Sequence, residues 1–257
     1  MKNDGMAVVN DHRVVSHEEW VAARKAFLLK EKDFTRLRDE LNEQRRALPW
    51  ERVAKRYVFD GPTGRETLEE LFEGRSQLVV YHAMWNPDAA TARTSWTADA
   101  ACFGCSFWAD NFNGIIAHLK QRDVTLLAVS RASIGKIAAY QKRMGWGFKW
   151  VSSGDGDFNF DYGVSFREED LARKKADYNF TLQDPGLSER EGVSVFYKDP
   201  SGELFHTYSA YARGIDMLNV AYHYLDIVPK GRDEGKDGQS WVRRHDEYSA
   251  PAGKACH

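Results

Sequence analysis

The sequence predicts an α/β fold built around one sheet, and three observations carry the prediction. Apolar runs of strand length at Gln77-Leu78-Val79-Val80-Tyr81 and Val124-Thr125-Leu126-Leu127-Ala128-Val129 alternate with helical patterns. Two further strand-like runs, 193–197 and 204–208, are joined by the turn signal Asp199-Pro200-Ser201-Gly202, which predicts a hairpin. A last helical pattern, carried by Ile215, Leu218, Val220, Ala221 and Leu225, follows that hairpin.

In chain order, Val15-Ser16 with Glu18-Glu19 predicts a helix start. Ser16 caps it, Glu19 closes a capping box, and Val15 precedes the cap as a hydrophobic staple does. The helical pattern runs to about Ala47, and Pro49 ends it. Its large apolar residues, Trp20, Phe27, Phe34, Leu41 and Leu48, recur every seven positions on an otherwise charged surface. A seam that narrow needs a cover, either its own domain or a second subunit. Tyr57-Val58-Phe59 predicts a short strand before the turn Gly61-Pro62-Thr63-Gly64, and residues 67–72 one or two helical turns. Residues 83–101 form a long loop. Phe107, Trp108, Phe112, Ile115, Ile116 and Leu119 then line a helix to about Lys120. Ile134, Ile137, Tyr140 and Met144 line another, stopped by Gly145, and Phe148-Lys149-Trp150-Val151 is a third short strand. Residues 152–191 are expected to be irregular. The tail from Pro229 is expected on the surface with Trp241 as an anchor. The domain plan is an N-terminal helical arm at 1–50, a sheet domain at 51–228 and a surface tail at 229–257.

Parallel strands joined by helices, then an antiparallel pair and a closing helix, are the plan of a thioredoxin-like sheet; right-handed crossovers leave few others. On that plan Cys102 and Cys105, spaced Cys-x-x-Cys, fall between the first long strand and a helix. A thiolate is the reactive form of cysteine, and a helix N-terminus stabilises it. The spacing sets the second sulfur one turn on, within reach of a mixed disulfide on the first. Cys102 is therefore read as the nucleophile and Cys105 as the resolving thiol. Trp85 is expected to border the site, and Arg131, at the end of the second strand, to hold a thiolate or an anionic substrate. Two alternatives stay open. In one, the cysteines bind copper or zinc together with His82 or His206. In the other, they are inert and the long helix serves an interaction module. Cys256 is read as a free thiol near the chain end, or as a distant resolving cysteine.

Composition narrows the function classes. The chain has 257 residues, 42% of them hydrophobic, enough for one sizeable core. Its net charge of −2 lacks the basic surplus of a nucleic-acid or anionic-membrane binder. No apolar run nears the roughly 20 residues of a membrane span, and residues 1–6 carry no signal-peptide core. A cytoplasmic protein is expected, in which a Cys-x-x-Cys is catalytic or metal-binding rather than structural. No Walker pattern is present, and Asp155-Gly156-Asp157 opens no complete calcium loop, since Phe160 and Phe166 occupy its glycine and glutamate positions.

Several segments resemble one family across nearly the whole chain. They include Leu48-Pro49-Trp50, Cys105-Ser106-Phe107-Trp108-Ala109-Asp110, Arg143-Met144-Gly145-Trp146, Tyr211-Ala212-Arg213-Gly214, Tyr222-His223-Tyr224-Leu225-Asp226 and the run from Trp241 to Tyr248. The family is an uncharacterised thioredoxin-like group (domain of unknown function 899) of predicted dithiol-disulfide oxidoreductases, related in fold to peroxiredoxins. The resemblance implies a thiol–disulfide oxidoreductase without an organic cofactor, acting on a disulfide-containing protein or a small thiol or disulfide. A homodimer through the N-terminal helix is a separate expectation. The segment from Asn86 to Ala101 is longer than is usual before the first cysteine, and Gly192 holds the place of the thioredoxin cis-proline, where it bounds the substrate surface. The Pro-x-x-x-Thr-x-x-Cys pattern of peroxiredoxins is absent: counting back from Cys102, Ser95 and Asp99 stand at its proline and threonine.

Overall fold

The computed structural model describes residues 12–236 and 238–248. The described chain divides into two compact units, one of residues 12–49 and 223–233, the other of residues 50–222 with 234–236 and 238–248. Residues 223–233, expected with the sheet domain and the tail, thus belong with the helical arm. Cys256 lies outside the described residues.

In the first unit, α1 (His17–Arg46) is a 30-residue helix, about 45 Å long at 1.5 Å per residue. The expected capping box is formed. The Glu19 N–H donates to Ser16 Oγ at 3.2 Å, and the Ser16 N–H to the Glu19 carboxylate at 3.0 Å. Acidic residues in the first turn and Arg45 and Arg46 in the last complement the helix dipole. No residue of α1 is buried.

The second unit carries an eight-stranded sheet in the order β1-β10-β9-β4-β5-β6-β2-β3. Its strands are β1 (Glu51–Arg52), β2 (Val58–Gly61), β3 (Gly64–Thr67), β4 (Gln77–His82), β5 (Val124–Ser130), β6 (Lys149–Ser152), β9 (Gly192–Lys198) and β10 (Leu204–Tyr211). The centre is thioredoxin-like: β4 pairs β5 in parallel and β9 antiparallel, and β10 closes the hairpin on β9. β6 extends the sheet, parallel to β5, and the β2–β3 hairpin adds an edge. Helices α2 (Phe103–Ala109) and α3 (Phe112–Lys120) connect β4 to β5, and α4 (Ile134–Met144) connects β5 to β6. The single helix expected after the cysteines is two, divided at Asp110-Asn111. Gly145 ends α4 in the left-handed region at φ 66°, as a C-terminal glycine does.

The segment expected to be irregular, 152–191, holds α5 (Phe158–Asp161), α6 (Glu168–Arg173) and a separate hairpin of β7 (Ala176–Tyr178) and β8 (Thr181–Gln183). After β10 come a 3-10 stretch, Ala212–Leu218, and α7 (Val220–Leu225), in place of one helix.

Alternation along β4 divides the core. Leu78 and Val80 face a cluster with Phe59, Phe72, Leu127, Val129, Phe158 and Phe196. Tyr81 faces the other way, edge-on to Phe112 of α3 at 5.4 Å. The dithiol helix therefore lies on the Tyr81 face. No helix among the described residues is long and apolar enough to cross a membrane.

Candidate active site

The long loop after β4 is stapled in place by two fully buried tryptophans. Trp85 Nε1 donates to the Thr97 carbonyl at 3.0 Å and Trp96 Nε1 to the Asn86 carbonyl at 2.8 Å. Main-chain bonds then fix the start of the helix: the Cys102 N–H donates to Met84 O at 3.1 Å and the Phe103 N–H to Ser95 O at 3.0 Å. The loop is thus held by its own polar groups, and it delivers Ser95 to the first cysteine.

Cys102 caps α2. Its Sγ accepts from Ser95 Oγ at 3.0 Å and from the Cys105 N–H at 3.4 Å. The Cys105 thiol also bonds to it, and this bond contributes most to holding the Cys102 thiol below its ordinary range. Ser95 and the Cys105 N–H act in the same direction, against burial. Cys105 is driven the opposite way, well above the thiol range, first by burial and then by its bond to Cys102. The Met84 N–H, 3.3 Å from Cys105 Sγ, offsets this in part. The two thiols are thus pushed apart, and Cys102 is the one that gives up its proton first. Both side chains are buried, with Cys102 5% exposed.

The sulfurs face a cavity of about 460 Å³. Tyr81, Met84 and Ser95 line it from the β4 side, Arg190 and Glu191 from the residues before β9, and Arg213 and Asp216 from the turn after β10. Gln239 and Ser240 line it from the tail. The tail is therefore more than a surface cover: Val242 is fully buried, Trp241 meets Phe107 edge-on at 5.5 Å, and Arg244 donates to the Ala101 carbonyl at 2.6 and 3.1 Å. Arg143 of α4 holds the same strap through Asp246 and Glu247.

The structure brings Cys102 and Cys105 together at the cavity and places the other candidates elsewhere. Trp85 packs behind the loop against Tyr140 and Trp150 and does not line the cavity. Arg131 turns away, donating to Gly154 O at 3.1 Å, lying 3.7 Å from the buried Glu189 and stacking over Phe160. Gly192 opens β9, and a Cβ there would stand 2.7 Å from the Tyr211 ring, so packing requires glycine at this position. No cis peptide is present among the described residues, and it is Glu191, one residue earlier, that reaches the cavity.

The metal alternative is not assembled. Neighbours on a strand point to opposite faces, so His82 leaves the sheet on the side away from Tyr81 and the dithiol. His82 lies against Phe158 and Tyr162, with Nε2 2.9 Å from Ser194 Oγ, and burial pushes its pKa down to about 3. His206 joins it on that face, 2.7 Å from Ser209 Oγ. Among the described residues no group of three or more His, Cys, Asp or Glu is arranged to hold a metal.

Sequence reasoning missed Ser95, Arg190 and Glu191. Ser95 had one signal, its place seven residues before Cys102 in the peroxiredoxin count. The two charged residues had none, because only the fold of 152–191 brings them to β9.

The sheet and the dithiol define a thioredoxin-like protein with Cys-x-x-Cys opening the helix after its central strand. Within that class, the chain belongs to the family described as bacterial protein of unknown function (DUF899), whose model matches residues 9–248. No curated protein matches it. Similar solved structures include a peroxiredoxin Q of Xanthomonas campestris, 16% identical with TM-score 0.42, over 64% of this chain and 86% of that one. Another is a peroxidoxin from Mycobacterium tuberculosis, 15% identical with TM-score 0.42, over 66% and 92%. A mitochondrial 2-Cys peroxiredoxin from Plasmodium falciparum is 14% identical with TM-score 0.40, over 68% and 94%.

Proposed function

We propose that this chain is a thiol–disulfide oxidoreductase. The observation that carries the reading is the pair of donors, Ser95 Oγ and the Cys105 N–H, both directed at Cys102 Sγ beside a cavity. Donors aimed at a sulfur stabilise its anion, and the anion is the nucleophile.

The Cys102 thiolate attacks one sulfur of a disulfide RS–SR. The substrate S–S bond breaks, a Cys102–SR mixed disulfide forms, and RS⁻ leaves and takes a proton from solvent. Cys105 then loses its proton and attacks Cys102 Sγ, and the second RS⁻ leaves. The substrate has gained two electrons and the protein holds a Cys102–Cys105 disulfide. A cellular dithiol or a thioredoxin-type protein restores the two thiols by the same exchange in reverse. The high proton affinity of Cys105 keeps it from competing as nucleophile, and Cys105 is released to attack once Cys102 carries no charge.

Alkylation of Cys102 by iodoacetamide across pH, read by mass spectrometry, tests this. An apparent pKa clearly below the free-thiol value of about 8.5 is expected; a value at or above it overturns the proposal. The reading sets the protein in the cytoplasm, where a dithiol is kept reduced. The arm and the sheet domain act as separate folding units, and the seven-residue seam of α1 pairs with a second copy of itself. Phe34→Glu is then expected to halve the mass seen by light scattering, and an unchanged mass discards the dimer.

A further inference from the structure

The cavity beside the dithiol carries more charge than disulfide exchange requires. Four charged side chains line it: Arg190, Glu191, Arg213 and Asp216. Arg213 and Asp216 satisfy one another at 3.4 Å. Arg190 and Glu191 do not. The Arg190 guanidinium donates through Nε to the Pro185 carbonyl at 2.7 Å and lies over the Tyr178 ring, with no carboxylate partner among the described residues. The Glu191 carboxylate receives only the Tyr178 hydroxyl, at 3.4 Å, and no cation among the described residues. One cavity thus holds, at adjacent positions, a cation and an anion that form no ion pair among the described residues.

Glu191 also works against the dithiol. Its negative charge opposes ionisation of both Cys102 and Cys105. A carboxylate in that position hinders the proposed chemistry unless it serves a substrate. Size limits what that substrate can be. A cavity of about 460 Å³ falls in the range of small-molecule sites, roughly 300–1,000 Å³. It is far larger than hydrogen peroxide needs, since a water molecule occupies about 30 Å³. A protein disulfide would have to reach sulfurs that are buried, past Gln239 and Ser240 of the tail strap.

We infer that the substrate is a low-molecular-weight disulfide with amino-acid ends, whose carboxylate meets Arg190 and whose ammonium meets Glu191 while its sulfur lies at Cys102. The inference rests on the oxidoreductase reading above and narrows it to a substrate class. A planar guanidinium suits a carboxylate, and a carboxylate suits an ammonium, in charge-assisted bonds about twice as strong as neutral ones.

The test uses the full chain, reduced, with oxidation of Cys102 followed by stopped-flow tryptophan fluorescence and confirmed by mass spectrometry. The oxidants are cystine (both charges), cystamine (cation only), dithiodipropionate (anion only), 2-hydroxyethyl disulfide (neutral), insulin (a protein disulfide) and hydrogen peroxide. Rates are taken relative to the neutral disulfide, so a loss of folded protein cancels. Cystine is expected to react at least tenfold faster than the neutral compound, with cystamine and dithiodipropionate between. Glu191→Gln is expected to remove the advantage of cystamine and reduce that of cystine. Arg190→Gln does the same for dithiodipropionate and cystine. Equal rates for the four small disulfides, or a faster reaction with insulin or peroxide, overturn the substrate class and leave the dithiol redox-active. If no oxidant closes the Cys102–Cys105 disulfide, the oxidoreductase reading itself fails and takes the inference with it.

Discussion

Replacing Ser95 by alanine removes one hydroxyl and leaves the fold of its loop to the main chain. Ser95 O still accepts from the Phe103 N–H, so the loop keeps its tie to the helix. What is lost is the 3.0 Å bond to Cys102 Sγ. A hydrogen bond to a charged group contributes about 1.5–3 kcal/mol to stability. The Cys105 N–H and thiol remain as donors, so the lower end applies, and about 1.4 kcal/mol is roughly one pKa unit. The Cys102 pKa should rise by about that much. Two opposing effects follow in the alkylation rate. Well below the pKa the thiolate fraction falls about tenfold. A more basic thiolate is also the better nucleophile, with a Brønsted slope of about 0.4–0.5, which returns roughly threefold. The variant is therefore about threefold slower at low pH and about threefold faster well above its pKa, and the two rate–pH curves cross. Ser95→Thr, which keeps a hydroxyl, should follow the parent. A structural disturbance slows reaction at every pH. Curves that do not cross, or an unchanged pKa, refute the role given to Ser95.

Two further predictions concern the frame around the site. Burial raises the Glu189 pKa from 4.5 to about 8, although Ser165 donates to both carboxylate oxygens at 3.0 Å and Arg131 lies nearby. A raised folded-state pKa means that the folded chain binds the proton more tightly. The stabilisation is then full below pH 4.5 and is lost as pH rises through about 8. Glu189→Gln should flatten the dependence of Tm on pH across that window, and an equal slope in both proteins, measured by calorimetry, counts against the assignment. Gly192→Ala drives a Cβ into the Tyr211 ring, an overpacking that costs about 1–3 kcal/mol. Its Tm should fall by roughly 2–12 °C, and the double variant Gly192→Ala, Tyr211→Leu should recover part of the loss.

Much of the frame was legible because local and tertiary signals agreed there. The Ser16–Glu19 box and the glycine at Gly145 mark helix ends through the same bonds that the structure forms. The run 77–82 became β4 because a central strand is apolar on both faces. The residues around the cysteines were harder to place. Arg131 stands at the sheet edge where anion-binding residues are common, yet its guanidinium is held by the Gly154 carbonyl at 3.1 Å and lies 3.7 Å from the buried Glu189. Arg190 and Glu191 come from a segment whose short elements, α5, α6 and the β7–β8 hairpin, leave almost no periodicity to read. Polar composition in the tail suggested a surface segment, but a few residues decide its position: Val242 is buried, and Arg244 donates through two nitrogens to the main-chain carbonyl beside Cys102 and through the third to Glu247.

The central claim is that Cys102 and Cys105 form a working dithiol. Reduced protein treated with a slight excess of a small disulfide, cleared of reagent and measured by intact mass and peptide mapping tests it most directly. The account predicts a loss of about 2 Da per chain, located to a Cys102–Cys105 link and reversed by dithiothreitol, with Cys105→Ser halting at a mixed disulfide on Cys102. Unchanged mass, or oxygen adducts on Cys102 with Cys105 still reduced, contradicts it.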